Sequence, residues 1–221
     1  VKVAVRGNCC DILPMAGIEV LSWRNENVVE AQGASLSVPK GELFDDACLR
    51  IGNEEGVCAV TGYYASTGED VFFRRGAELS LDAGDVNVAD RSKLYICKIT
   101  EKDTSWVGGR YADGKVVGKI SSTGVYAVAT DTVPPVLSPV NEKEWMKSAR
   151  LVFDLYDNET KVSSFRGTLN GNFVLFKYSS KERRLTFDFG QENIRRGKHK
   201  LKVEVTDAYG NSTVFEKSIK Y

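Results

Sequence analysis

The apolar residues of this chain fall in runs of about four to eight, separated by Gly, Asn, Asp and Ser, with no long stretch at the three-to-four spacing of an amphipathic helix. Short strands are therefore the main element, and many short strands punctuated by turns stack as a sandwich or barrel. No run approaches the roughly eighteen apolar residues that carry a helix across a bilayer, so this chain has no transmembrane helix. With 221 residues, 42% of them hydrophobic, either one large core or two modest ones can be buried. Asp131-Thr132-Val133-Pro134-Pro135 decides for two. The prolines hold a stiff, extended crossover, and Val133 is pushed out of helical conformation by the proline after it. The expected fold is all-β, with two consecutive β-sandwich domains, 1–131 and 132–221. Residues 1–33 read either as part of the first domain or as the tail of an upstream unit.

Along the first domain, 1–6 alternates Val and Ala with Lys and Arg as a half-buried strand does. A loop with Cys9, Cys10 and Pro14 follows. Residues 18–23 and 28–30 read as a hairpin about the turn 24–27. The strand through Leu36 and Val38 must stop at Pro39-Lys40-Gly41, because proline removes a ladder donor and glycine admits positive φ. Further strands are expected at 49–51, 58–64, 77–81, 94–99, 116–120 and 126–128.

In the second domain, 150–155 and 185–189 alternate large apolar residues with Thr, Val and Asp. Strands at 162–168 and 173–178 flank Asn170-Gly171, a strong hairpin signal because both residues tolerate positive φ. Strands at 200–205 and 214–219 flank Asp207-Ala208-Tyr209-Gly210-Asn211, and 192–196 reads as one helical turn. Six or seven strands suffice for an immunoglobulin-like sandwich.

Formal charge is zero, but it is unevenly placed. Residues to Asp131 hold 14 Lys and Arg against 19 Asp and Glu, and the remainder 16 against 11. Such asymmetry favours docking of one domain on the other or of the second on an anionic polymer, although scattered solvated charges give the same count. The basic run Arg195, Arg196, Lys198, Lys200, with Lys202, Arg183 and Arg184, is the candidate anion-binding patch; protection of an edge strand is the plainer explanation. A near-neutral pI of 6.8 and the lack of a binding motif argue against nucleic acid.

The five cysteines, Cys9, Cys10, Cys48, Cys58 and Cys97, are odd in number and form no Cys-x-x-Cys, so free, mostly buried thiols are expected. His199 is the one histidine. A zinc site built on several histidines is excluded, and Ser-His-Asp or Cys-His catalysis would have to use His199 as its base. No catalytic, cofactor-binding or metal-binding set is therefore assigned. Asp131, Asp154, Asp157 and Asp207 are oxygen donors suited to calcium, but Asp in turns more often bonds its own backbone. Trp106 and Tyr111 flank Gly108-Gly109 and are the candidate glycan-stacking aromatics. Core packing is the usual fate of such rings.

The ordered segments Leu36-Ser37-Val38-Pro39-Lys40-Gly41-Glu42-Leu43-Phe44-Asp45, Ala77-Glu78-Leu79-Ser80-Leu81, Gly108-Gly109-Arg110-Tyr111 and Ser122-Thr123-Gly124-Val125-Tyr126-Ala127-Val128, followed by Asp131 to Pro135, resemble the β module behind the catalytic domain of lysostaphin-like zinc endopeptidases of Bacteroides-type bacteria. The similarity covers roughly 34–221, and its last part resembles bacterial immunoglobulin-like domains. That family takes its zinc ligands from two His and an Asp with a further His near the water, a set this chain lacks. The resemblance implies a non-catalytic accessory or positioning region of a secreted, cell-envelope metallopeptidase acting on peptidoglycan. Its partners would be the parent's catalytic domain and peptidoglycan or another glycan. A stand-alone surface adhesin or glycan-binding module is the alternative. Val1 with no initiator Met or leader fits a piece of a longer protein.

Overall fold

A computed structural model of the chain describes residues 17–54, 56–84, 86–191 and 194–221. The expected strand at 1–6, the loop at Cys9, Cys10 and Pro14, and Glu192 and Asn193 lie outside the described residues. The fold is all-β and divides into two compact units, one ending at Thr130 and one running Asp131–Tyr221.

The first unit contains β1 (Glu19–Leu21), β2 (Asn27–Ala31), β3 (Ala34–Val38), β4 (Ala47–Glu54), β5 (Val57–Tyr64), β6 (Phe72–Asp82), β7 (Leu94–Ile99), β8 (Thr104–Gly108), β9 (Arg110–Ala112), β10 (Lys115–Ser122) and β11 (Gly124–Thr130). They form two sheets, β1-β4-β5-β11-β7-β8 and β2-β3-β6-β10-β9. Alternation sets the faces. On β10, Val116, Gly118, Ile120 and Ser122 are buried while Lys115 and Lys119 are exposed, the period of two that puts every second residue inside. Leu36, Leu79 and Ile120 of the smaller sheet belong to one core with Leu49, Ile96 and Tyr126 of the larger one.

Two features depart from expectation. The 18–30 hairpin does not form: β1 pairs with β4 and β2 with β3, in different sheets. Between them Asn27 closes the corner with its side chain, accepting from Ser22 N and donating to Ser22 O, so the chain turns away without a ladder. The segment 104–112 is the second. It forms β8 in one sheet and β9 in the other, joined by Gly109 alone. Gly108 and Gly109 have φ of 115° and 116°, which only glycine adopts readily. A Cβ on Gly109 would lie 2.9 Å from the Val117 carbonyl oxygen.

The second unit contains β12 (Val136–Pro139), the single-turn helix α1 (Trp145–Ser148), β13 (Arg150–Tyr156), β14 (Val162–Leu169), β15 (Asn172–Val174), β16 (Lys177–Ser179), β17 (Arg184–Asp188), β18 (Lys198–Asp207) and β19 (Ser212–Lys220). Its sheets, β12-β13-β17-β16 and β15-β14-β18-β19, reproduce the A-B-E-D and C-F-G orders of an immunoglobulin-like sandwich with one added edge strand beside C. The expected strand at 173–178 is two strands. β15 pairs with β14, and β16 pairs with β17 in the facing sheet, so the chain changes sheets at Leu175-Phe176. Phe176 enters the core there while Leu175 stays exposed. No helix covers 194–196; a short 3-10 turn instead occupies Phe189–Gln191. An aromatic chain fills the core. Phe153 contacts Trp145, Phe215 and Phe176, Phe187 bridges Phe176 and Phe189, and Phe189 stacks on Tyr221 with centroids 4.1 Å apart. Such ring pairs add to area burial through their edge-to-face electrostatics.

Among the described residues no helix is long and apolar enough to cross a membrane. Gly109→Ala tests the sheet crossover: it should destabilise the first unit by about 1–3 kcal/mol, from forced backbone strain, measured as a lower midpoint in thermal or urea denaturation.

Candidate functional site

The crossover at Gly108-Gly109 borders an open groove of about 740 Å³, lined by Pro39, Glu42, Arg75, Glu78, Trp106, Arg110, Lys119 and the glycines 76, 108, 109 and 118. Glu42, Arg75 and Trp106 each have a structural reason to be there. Glu42 follows the turn that ends β3, its N–H donating to the Pro39 carbonyl. Its side chain is 4% exposed, and its two oxygens accept from the Arg75 backbone N–H at 2.6 Å and from Arg75 Nε at 2.9 Å. The backbone N–H of Arg75 holds the Glu42 carboxyl below its ordinary 4.5, overcoming the upward push of burial, and the guanidinium adds to the effect. Arg75, itself 77% exposed, thus faces the groove as a fixed cation. Trp106 is half-buried, and a Cβ on Gly108 would lie 3.4 Å from its ring. The indole therefore rests against bare backbone. An aromatic face beside fixed charges suits a sugar ring with polar substituents.

Tyr111 does not share this groove. It packs against the hydrophobic core, opposite Val116 in the β9–β10 register, with the Arg91 guanidinium 5.5 Å from its ring centre. The two aromatics proposed from sequence as a pair are separated by the change of sheet between them.

The basic run is also divided. Lys198 and Lys200 project from β18 beside Lys220 of β19, Lys202 pairs with Glu204 at 3.4 Å, and Arg195 and Arg196 lie in the preceding loop. Arg184 sits in the other sheet, bound to Asp154. Edge protection does not explain Lys200 and Lys202, because β18 is paired with β14 and β19 from Leu201 onward and Lys200 N donates to Asn170 Oδ1; Lys198 is paired with β19 alone. His199 Nε2 lies 2.8 Å from the Arg195 carbonyl, which can only accept, so Nε2 carries the proton and Nδ1 accepts from Asn170 Nδ2 at 3.1 Å. Both ring nitrogens are committed.

Cys48, Cys58 and Cys97 are buried, and Cys58 and Cys97 are free thiols. Burial pushes the Cys58 thiol up to about 11 and raises that of Cys97, so neither supplies thiolate near neutral pH.

Asp131, Asp157 and Asp207 converge, with carboxylate oxygens within 4.8 Å of one another; Asp154 is not with them. The segments Asp131 to Pro135 and Asp207 to Asn211 meet here. Asn211 Nδ2 donates to Asp207 Oδ2 at 2.7 Å and to the Asp131 carbonyl at 3.0 Å, while Thr160 Oγ1 donates to Asp131 Oδ2 at 2.6 Å. Three carboxylates are a donor set for a hard cation, but these neighbours already satisfy most of their oxygens. Desolvation, then the nearby Asp157 and Asp207 charges, raise the Asp131 pKa above 3.8 against those hydrogen bonds.

Sequence reasoning missed Glu42 and Arg75, which are 33 residues apart; the Pro-x-Gly turn before Glu42 was the only local signal.

Of the buried carboxyls Glu42, Asp131 and Asp207, the first two have opposite pH signatures. Glu42, with its pKa lowered, contributes stability that is present above 4.5 and lost as pH falls through its folded-state value. Glu42→Gln should cost the first unit about 1–2 kcal/mol at pH 7, read by chemical denaturation, with a smaller penalty in acid. Asp131, with its pKa raised, favours the folded state while protonated, and that benefit is lost as pH rises from 3.8 through its folded-state value. Asp131→Asn should therefore raise the melting temperature of the second unit at pH 7 by about 2–5 °C in metal-free buffer, and the gain should shrink toward pH 4.

The Zu5-like domain family matches residues 18–131, just over half of the 221-residue chain. No curated protein matches the chain.

Proposed function

This chain belongs to the Zu5-like domain family, and from that premise we propose that it is a non-catalytic recognition and positioning region that holds a protein against cell-envelope glycan through the groove at Trp106. The observation that carries this reading is the groove itself: an indole resting on Gly108, flanked by a locked Glu42–Arg75 pair and by Arg110 and Lys119. Aromatic faces give sugar rings their apolar contact, and fixed charges orient their substituents. The committed nitrogens of His199 and the raised thiols of Cys58 and Cys97 support a non-catalytic role.

The wider setting in this proposal is a secreted or cell-envelope zinc metallopeptidase acting on peptidoglycan, for which this chain is the accessory region. It is supported by the ordered segments from Leu36 to Pro135. A stand-alone adhesin would use the same groove on a different glycan.

Sedimentation with purified peptidoglycan sacculi separates these outcomes. The chain should be retained, and Trp106→Ala should cut retention about tenfold or more, the loss expected for a stacking aromatic, while its circular dichroism stays unchanged. Equal retention of the variant removes the groove from the account. Hydrolysis of sacculi by the purified chain would overturn the non-catalytic reading.

A further inference from the structure

A smaller pocket of about 290 Å³ adjoins the groove and shares Trp106, Val107 and Lys119 with it; its other walls are Lys98, Ser105, Ile120, Ser121 and Tyr126. No carboxylate lines it, and two ammonium groups do.

Lys98 is held by hydrogen bonds, and the stems of both lysines run close over glycine. A Cβ on Gly124 would lie 2.5 Å from Lys98 Cε, and one on Gly76 would lie 2.8 Å from Lys119 Cε and Cγ. Each lysine stem therefore runs directly over glycine backbone, a course that any larger residue would obstruct. Lys98 Nζ, partly buried, donates to Ser122 Oγ at 2.7 Å and to the Thr123 carbonyl at 3.1 Å, and stands 5.7 Å from the Tyr126 ring centre. Its partners are all neutral. Among the described residues neither lysine forms an ion pair; Glu78, opposite Lys119 in the β6–β10 register, lines the groove and not this pocket. A partly buried ammonium without a counter-charge carries a desolvation cost that a bound anion would offset.

We infer that this pocket is an anion subsite, taking a carboxylate carried by the ligand whose ring lies on Trp106. The inference rests on the glycan reading above and narrows it to acidic glycans. The carboxylate can belong to the sugar, as in a uronate or a lactyl ether, or to a peptide attached to it. Carboxylate is preferred to a bulkier ester because the pocket is small and its hydroxyls, Ser105 and Ser121, can bond the second oxygen.

The test is a titration of the whole chain at constant ionic strength, followed by backbone amide resonances, with sodium glucuronate, with glucose, with neutral chitotetraose and with a carboxylate-bearing muropeptide. Glucuronate should give saturable shifts at Lys98, Ser105, Lys119 and Ser121 that glucose does not, and Lys119→Gln should weaken glucuronate about tenfold, the size of one charge-assisted hydrogen bond. Lys119 is exposed, so this variant spares the core. Chitotetraose is expected to shift Trp106 and to be weakened less than glucuronate by Lys119→Gln, because Lys119 also borders the groove but chitotetraose carries no carboxylate. Tighter binding of glucuronate than of muropeptide assigns the carboxylate to the sugar, and the reverse assigns it to the peptide. Glucuronate behaving like glucose, or binding Lys119→Gln as well as the unaltered chain, overturns the subsite. If chitotetraose and muropeptide both fail to bind while glucuronate saturates the lysines, the glycan reading fails and the anion subsite stands.

Discussion

The contact on which the first unit and its groove depend is the close approach of backbone at Gly108, Gly109 and Gly118. The chain leaves the six-stranded sheet at Gly108 and enters the five-stranded one at Arg110. With one residue available for the change, the crossing strand must lie against β10, and Gly118 would bring a Cβ to 3.1 Å from both the Gly108 oxygen and Ile96 Cδ1. Side chains there would force the sheets apart. Because the backbones touch, the indole of Trp106 has a floor, and the residues of β6 and β10 line the groove beside it.

The second unit is organised by different means. Its core is a connected set of rings from Trp145 to Tyr221, and its start and its last turn are tied through Asn211 to Asp131 and Asp207. Val133 N also donates to Asp131 Oδ1, so the residues before Pro134-Pro135 are anchored by the same carboxylate. The Asp131 strain of burial and like charge is confined to this end. The lysine row of β18, in contrast, lies on an open sheet face where charge is cheaply solvated.

Local pattern made most strands legible. Val116 to Ile120, Leu94 to Ile99 and the Asn170-Gly171 hairpin need only period two and turn chemistry, and Asn170 and Gly171 do have positive φ of 53° and 84°. Pairing was less legible, because alternation says which residues face inward but not which sheet a strand joins. Residues 18–30 were misread for that reason, and so were 173–178, where a continuous apolar run hides a change of sheet. Trp106 was visible as an aromatic beside Gly108-Gly109, yet its place on β8 and its separation from Tyr111 depend on a crossover signalled only by those two glycines. Glu42–Arg75 and the lysine pair over Gly124 and Gly76 are long-range contacts that strand periodicity does not encode.

The central claim is that recognition happens at the sheet crossover of the first unit. Hydrogen–deuterium exchange of the whole chain, with and without solubilised peptidoglycan fragments, tests it most directly. The account predicts ligand protection at 104–110 and 117–121, with weaker protection at 39–42 and 75–78, and little change on the outer face of β18 and β19. Protection confined to that lysine-bearing face, or spread evenly with none at 104–110, would contradict it.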